Sequence, residues 1–513
     1  MASYKKRKKH RKQKTPTVVI TGIILVILSL YLSSMIYTFY LLPKLWRLMS
    51  IAVLLLIAGI FLVLSLIRKK EGKVLRVIEI ILCVMLALAG VALPYIEKKA
   101  EGLFNTKIHT DEQIFRVYTL TAEFRAEHPD LPLPSTVSKN LLDYQDSIFL
   151  YSQSNSEAQK QALEQLKTYL NYLSTEKKTI WETLQAFYSG EGECIILSDN
   201  VVDMIEETDE YVNFTEDTLV LLTIHTEVEI ERDATRKISD GAFTVFVAGN
   251  DNRSGILSIY GRTDVDILLT INPETAQALI ISLPRDTFLP NPALNYDYDK
   301  LTHLGNDGIM NTVRGLNDLY DLDVHYYATV NFATFQRIVD TLGGIDINNP
   351  YEFQGLERYF PAGNIHLNGA DALDYVRKRH TLEKGDFDRN EHQAIVLKAI
   401  LKKLTSRDML EKAPELLNDL SGSIATNIAP SSILELASEE LVSRREWNII
   451  YYHLGGYGTR AETASIPGTS LYIVRPYKSQ TDFVHEEIMN ALTGQILEQK
   501  KMPAEDKTVY EEN

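Results

Sequence analysis

The chain has 513 residues, two cysteines and a net charge of −15. That length exceeds one ordinary core and suggests two or three folded units, and so few cysteines exclude a disulfide-stapled ectodomain. The charge is unevenly spread, because residues 1–76 hold 15 Lys and Arg against a single acid, Glu71, so the acidity lies wholly beyond them.

The first 16 residues, with "YKKRKKHRKQK", form a basic N-terminus too short to fold as a nucleic-acid-binding domain. Three apolar runs follow within residues 17–95: Val18–Leu42, Ser50–Ile67 and Val74–Tyr95. Each is long enough to cross a bilayer as a helix, and a secretory signal peptide would be shorter and would not precede two more spans. The basic N-terminus and "RKKEGK" between the second and third runs outweigh the loop "LLPKLWR", so the positive-inside bias places the N-terminus in the cytoplasm and everything after about Tyr95 outside. Cys83 falls in the third span and Cys194 in the external part, so they cannot pair. Cys194 has no neighbouring His or Cys in the sequence and reads as an inert thiol.

Residues 108–230 read as an α+β accessory domain. "SNSEAQKQALEQLKTYLNYLSTEKKTIWETLQAF" has Leu163, Leu166, Leu170, Leu173 and Ile180 at helical spacing. "ECIILSDN" and "TLVLLTI" are apolar runs, and the polar stretch His225–Gly241 reads as a link. From residue 242 to 404 the pattern changes to "FTVFVAG", "VDILLTI" and "AQALIISL" as strands, the last two flanking the turn "NPET". Then follow a helix "GIMNTVRGLNDLYD", a strand "VHYYATV", a helix "FATFQRIVDTL" and a strand "GGIDI". That alternation predicts an α/β sheet covered by helices. Two helices close the segment, "GADALDYV" with Asn368 as cap and "RNEHQAIVLKAILKKL" with Asp386 or Asp388 as cap. Residues 405–498 read as a mixed C-terminal extension packed on that domain, and 499–513 as a disordered tail.

Charges stand at four places where the fold does not need them: "GNDNR", "GRTD", "PRD" and "YVRKRHTLEKGDFDRNEHQ". They offer Asp251, Arg253, Arg262, Asp264, Arg285, Asp286, Lys300, Arg377, Arg379, Asp386, Arg389 and Gln393. No nucleophile elbow, Walker loop or Cys/His zinc pattern accompanies them. Carboxylates hold a hard cation through oxygen, and guanidinium forks grip phosphate, so the set suits a phosphorylated ligand. Any one of these arginines alone would serve equally as part of a solvated face. Arg377 and Arg379 share a face only if the chain is extended there, so the preceding helix is expected to end near Val376; Arg389 and Gln393 lie one helical turn apart.

From Ala242 to about Leu404 the sequence resembles the LytR–CpsA–Psr family of bacterial wall-polymer transferases. The resemblance rests on "GRTDVDILLTINPETAQALIISLPRDT", "DKLTHL", "YYATVNFATFQRIVDTLGGIDI", "LNGADALDYVRKRH" and "GDFDRNEHQ" in order and spacing. The three spans and the accessory domain more loosely resemble its streptococcal capsule members. The resemblance implies a central β-sheet flanked by helices that binds a polyprenyl-pyrophosphate-linked glycopolymer and passes its phosphate to a peptidoglycan sugar hydroxyl, beside a membrane and capsule-biosynthesis membrane proteins, with no nucleic acid. It implies Asp251 and Asp264 as metal ligands for Mg²⁺ or Mn²⁺, Arg285 as catalytic, and Arg262, Lys300, Arg377, Arg379 and Gln393 as pyrophosphate-binding. Arg389 joins the last group through its spacing to Gln393, and Asp286 serves either chemistry or the orientation of Arg285. Apolar positions in "FATFQRIVDTL" and "QAIVLKAIL" would line a lipid channel or serve as core. Where the family often reads Gly-Thr-Asp-Ser-Arg, this chain reads Gly249-Asn250-Asp251-Asn252-Arg253. The expected function is a membrane-anchored phosphotransferase of a Gram-positive cell surface acting on capsular polysaccharide, the alternatives being a polyprenyl-phosphate-binding regulator and a pyrophosphate hydrolase.

Overall fold

The computed structural model describes residues 17–39, 42–67, 73–104, 110–133, 137–154, 156–229, 238, 241–250, 257–377, 386–420, 422–443 and 445–503. It forms two compact units, residues 1–104 with 430–443, and residues 105–429 with 444–513.

In the first unit, α1 (Thr17–Thr38), α2 (Lys44–Ile67) and α3 (Lys73–Phe104) are the three expected helices, each long and apolar enough to cross a membrane. Their outward faces carry large exposed apolar side chains such as Ile27, Leu56 and Leu88, a surface suited to lipid and not to water. Glu79 of α3 is buried and accepts hydrogen bonds from Thr21 of α1 and Ser65 of α2, tying the three helices together. Arg47 of α2 pairs with Glu435 and lies 3.6 Å from Glu439, both on the helix Pro430–Ser443.

The second unit begins with a five-stranded sheet made of β1 (Thr110–Leu120), β2 (Ile148–Ser152), β3 (Leu173–Lys177), β4 (Cys194–Ser198) and β5 (Thr218–Glu229), in the order β3-β2-β4-β1-β5. One face buries Phe115, Phe149 and Leu166, the other Leu150, Leu184 and Phe187. The stretch expected as continuous amphipathic helix is broken. Helix Glu157–Tyr169 stops at an extended Leu170, β3 pairs in parallel with β2, and Thr179 caps a new helix, Ile180–Tyr188, by accepting from the Glu182 amide at 3.1 Å. Leu173, which fits the helical period, is 58% exposed at the start of the strand. Strand pairing has overridden local periodicity there. The expected link from His225 is also shorter, because β5 continues to Glu229 in register with Thr110. Cys194 is buried and burial pushes its thiol pKa well up, so it is inert.

The central sheet starts with β6 (Phe243–Asn250), β7 (Thr263–Asn272) and β8 (Gln277–Leu283), antiparallel neighbours as their turn signals predict. Asn272 shapes the β7–β8 turn by accepting from the amides of Glu274 and Thr275. All seven residues of β8 are buried, as expected of a strand covered on both faces. The short strands β9 (Phe288–Pro290) and β10 (Tyr298–Lys300) pair beside it, and β11 (Tyr326–Val330) returns parallel to β6. The expected "GGIDI" strand, β12 (Ile345–Asn349), leaves the central sheet; after β13 (Phe353–Gln354) and β14 (Tyr359–Phe360) it pairs with β15 (Gly363–Leu367). The chain after Leu404 completes the sheet with β16 (Ala425–Thr426) and β17 (Asn448–His453), giving the order β16-β11-β6-β7-β8-β17. A hairpin of β18 (Gly456–Thr463) and β19 (Ile466–Pro476) and the helix Lys478–Leu492 follow.

Helix Ile309–Tyr320 and helix Lys478–Leu492 cover one face of this sheet, burying Val313, Leu316, Val484 and Ile488 against Phe246, Leu268 and Ile281. On the other face Ile267, Leu269 and Ile280 meet Leu397 and Leu401 of helix Asp386–Leu404. Asn368 caps helix Gly369–Arg377 as expected, accepting from the Asp371 amide at 2.8 Å; the side chains of Asp386 and Asp388 lie outside the described residues. Near the C-terminus the Lys500 amide donates to the Tyr452 hydroxyl at 2.9 Å.

Candidate functional site

One end of the central sheet collects the charged segments. β6 ends there at Asn250, opposite Thr263 at the start of β7, and β8 ends there at Leu283, opposite Asp266. Such strand ends are where a rigid sheet presents functional side chains. The entry to β7 is held by a close backbone approach: the Gly261 amide donates to the Gly305 carbonyl at 2.9 Å, Gly261 has φ +122°, and a Cβ on Gly305 would stand 2.3 Å from the Gly261 oxygen. Only glycine fits both positions. The contact sets Arg262 beside the Lys300–His303 segment.

Arg285, two residues past β8, pairs with Asp264. Its Nε is also 3.8 Å from Asp286, whose other oxygen lies 3.3 Å from Lys300 Nζ. Lys300 is 3.8 Å from Glu207 Oε2, and Glu207 Oε1 is 2.5 Å from Arg262 Nη1. Asp264, Arg285, Asp286, Lys300, Glu207 and Arg262 thus form one row of alternating charge. Burial would lower the Arg285 pKa, but Asp264 and Asp286 raise it on balance, so its cation is secure. Both contacts of Asp286 in this row are cations.

His303 adds a second layer. Its Nδ1 lies 2.9 Å from Asp299 and 2.8 Å from the Ser465 hydroxyl at the β18–β19 turn, and its Nε2 lies 3.4 Å from Glu207. Burial alone would lower its pKa, but Asp299 and Glu207 raise it on balance. For Glu207 burial works upward, yet His303, Arg262 and Lys300 bring its pKa down to about 2.

Asp266 is fully buried on the same face of β7 as Asp264, and neither of its carboxylate oxygens accepts a well-formed hydrogen bond among the described residues. Burial pushes its pKa up to about 8, with the Thr263 hydroxyl a partial offset. An orphaned carboxylate beside a second one suits a hard divalent cation, which takes one or two carboxylates together with water and phosphate oxygens. The described residues contain no group of three or more metal-binding side chains.

Of the residues singled out in the sequence, Arg262, Asp264, Arg285, Asp286 and Lys300 come together in the row. Arg377 ends its helix one residue beyond the expected point and lies 4.5 Å over the Phe332 ring. Phe332 follows β11, whose last residue is in register with Gly249, so Arg377 belongs to the same sheet end. Gln393 is half-buried on helix Asp386–Leu404, and among the described residues neither it nor Arg377 joins the row. Asp251 and Arg379 lie outside the described residues, as does the Arg389 side chain. His392 is a core residue, buried with its Nε2 3.1 Å from the Tyr351 hydroxyl and its ring stacked on Phe353. Glu207, Ser465 and His303 were not foreseen. For His303 a signal existed in "DKLTHL", where Asp299 and His303 are four residues apart.

A mixed six-stranded sheet with helices on both faces and a row of alternating charge at one end defines an α/β protein whose candidate site lies at the strand ends. Residues 214–466 match the model of the LytR_cpsA_psr family. The chain is 31% identical over 265 residues to the polyisoprenyl-teichoic acid–peptidoglycan teichoic acid transferase TagU of Oceanobacillus iheyensis, spanning 50% of this chain and 77% of that protein. It is 30% identical over 242 residues to TagU of Bacillus subtilis, spanning 46% and 77%. The chain therefore belongs to the LytR_cpsA_psr family. Among solved structures, the Lin1025 protein of Listeria innocua is 28% identical with a TM-score of 0.40, covering 49% of this chain and 99% of that one.

Proposed function

We propose that this protein is a membrane-anchored phosphotransferase that moves a glycopolymer from a polyprenyl-pyrophosphate carrier to peptidoglycan. The observation that carries the reading is Arg285, held by Asp264 and Asp286 at the sheet end with Lys300 and Arg262 in the same row. In the reaction a sugar hydroxyl oxygen bonds to the phosphorus that bears the glycan. The bond from that phosphorus to the bridging oxygen breaks, polyprenyl monophosphate leaves with that oxygen, and the hydroxyl proton passes to water. Phosphoryl transfer of this kind depends on positioning and on stabilising spread negative charge. Arg285 meets the charge on the transferred group, Asp286 orients Arg285 and Lys300, and Arg262 and Lys300 bind phosphate oxygens. Asp264 and Asp266, with Asp251, are the residues to hold Mg²⁺ or Mn²⁺, which would neutralise phosphate charge.

Teichoic acid is the polymer named for the TagU relatives. Capsular polysaccharide is the polymer proposed here, because the three apolar helices and most of the accessory sheet precede residue 214, where the family match begins, and that layout resembles capsule members. The cationic N-terminus supports a cytoplasmic start and an external site at a Gram-positive cell surface. The test compares wall-bound with released glycopolymer in cells carrying wild-type protein or Arg285→Ala. Loss of one such donor lowers the rate about 10²- to 10³-fold, so polymer is expected in the medium at unchanged protein and transcript levels. Normal attachment refutes the transferase reading, free polymer phosphate made by wild type without peptidoglycan marks a hydrolase, and lower biosynthetic transcripts mark a regulator.

A further inference from the structure

Glu207 precedes the family-matched region, in the turn after helix Val202–Ile205 of the accessory part. Its backbone is pinned, with its amide donating to the Met204 carbonyl at 3.2 Å and the next amide, of Thr208, to Ile205 at 3.2 Å. Its side chain nonetheless reaches three cationic or protonatable groups beside the central sheet, on segments that precede β7 and follow β9: Arg262 at 2.5 Å, His303 at 3.4 Å and Lys300 at 3.8 Å. Lys300 and His303 are almost fully buried, with side chains 8% and 0% exposed, and each keeps a second carboxylate, Asp286 at 3.3 Å and Asp299 at 2.9 Å, when Glu207 moves away. The Glu207 side chain keeps 22% exposure, a way out to solvent when another anion arrives.

We propose that Glu207 is a specificity-determining residue of the transferase site, an internal carboxylate that competes with the lipid's phosphates for Arg262, Lys300 and His303. The proposal rests on the reading of that site as a pyrophosphate site. Glu207 occupies Nη1 of Arg262, so a ligand that uses that edge of the guanidinium must displace the carboxylate. Apparent affinity then falls by the fraction of molecules in which the carboxylate has withdrawn. The accessory part thereby sets how much negative charge a lipid must bring. A pyrophosphate meets that threshold more easily than the monophosphate left after transfer, and the return of Glu207 to the cations helps expel that product.

The test titrates the full chain in detergent micelles with farnesyl pyrophosphate and with farnesyl monophosphate, by calorimetry. Glu207→Gln is expected to bind the pyrophosphate about tenfold more tightly than wild type and the monophosphate by a larger factor, so that the preference between the two narrows; tightening by the same factor on both overturns the specificity role. Glu207→Asp, which retracts the charge by one methylene, falls between and serves if the Gln variant does not fold. Asp209→Asn, an exposed neighbour, should match wild type. Equal or weaker binding in both Glu207 variants overturns the proposal alone. Failure of wild type to bind farnesyl pyrophosphate overturns the pyrophosphate reading, and the proposal with it.

Discussion

The accessory sheet and the central sheet are built alike, mixed in direction and buried on both faces, but they treat polar groups differently. In the accessory sheet several buried polar groups meet a partner of opposite character. The Thr119 hydroxyl donates to the Glu193 carbonyl at 2.9 Å, and Arg116 pairs with Asp199 at 2.6 Å. At one end of the central sheet, by contrast, a fully buried Asp266 lacks a well-formed bond among the described residues, and a row of charges takes in Glu207 from a turn of the accessory part. Satisfied polar groups mark scaffold, whereas charges held together under strain of desolvation mark a site. Where the two sheets meet, Asp111 of β1 accepts from the Ile259 amide at 2.6 Å and the Ser258 hydroxyl at 2.9 Å, just ahead of the segment bearing Arg262.

The largest effect should come from the scaffold. Phe187→Ala removes a fully buried ring from the accessory core and should cost about 3–5 kcal/mol, read as a lowered denaturation midpoint. A change below about 1 kcal/mol would show that core to be loosely packed. Arg285→Ala should do the reverse, removing most transfer activity while leaving the midpoint near that of wild type; a large drop in stability would blur the contrast between scaffold and site. Asp111→Ala leaves the Ile259 amide without its acceptor and should cost about 1–3 kcal/mol, together with faster proteolytic cleavage near residue 258.

The smallest effect is a pH window. Glu207 is depressed from 4.5 to about 2, so its contribution to stability is fully present above about pH 4.5 and is lost as pH falls toward 2. His303 is raised from 6.5, so its contribution is full below about pH 6.5 and is lost as pH rises through its folded value. The stability difference between wild type and Glu207→Gln should therefore peak between about pH 4.5 and 6.5. A difference that does not vary with pH would mean that the carboxylate and the imidazole are not coupled.

Much of the central sheet was legible because its strands are apolar runs ended by charge, and because Asn368 and the "NPET" turn act locally. The charges after those runs pointed to Arg262, Asp264, Arg285, Asp286 and Lys300. What lay beyond the sequence was long-range. Leu173 fits a helix and becomes a strand because β2 is there to pair with it. Glu207 sits in the polar run "EETDEY", indistinguishable from a solvated surface until the fold brings it to Arg262. Ser465 is an ordinary turn residue until it meets Asp299 and His303.

The two outermost strands of the central sheet, β16 and β17, come from the last fifth of the chain. A growing chain that has reached only Leu404 has β11 and β8 as bare edges, and unpaired edges recruit other chains. The sheet must therefore wait for nearly the whole polypeptide, which gives it distant sequence contacts and slow folding. Recombinant fragments cut at Leu404 would inherit the same defect permanently, and soluble versions of this protein are better ended after Met502, so that Leu497 stays in the core and the Lys500 amide keeps the Tyr452 hydroxyl.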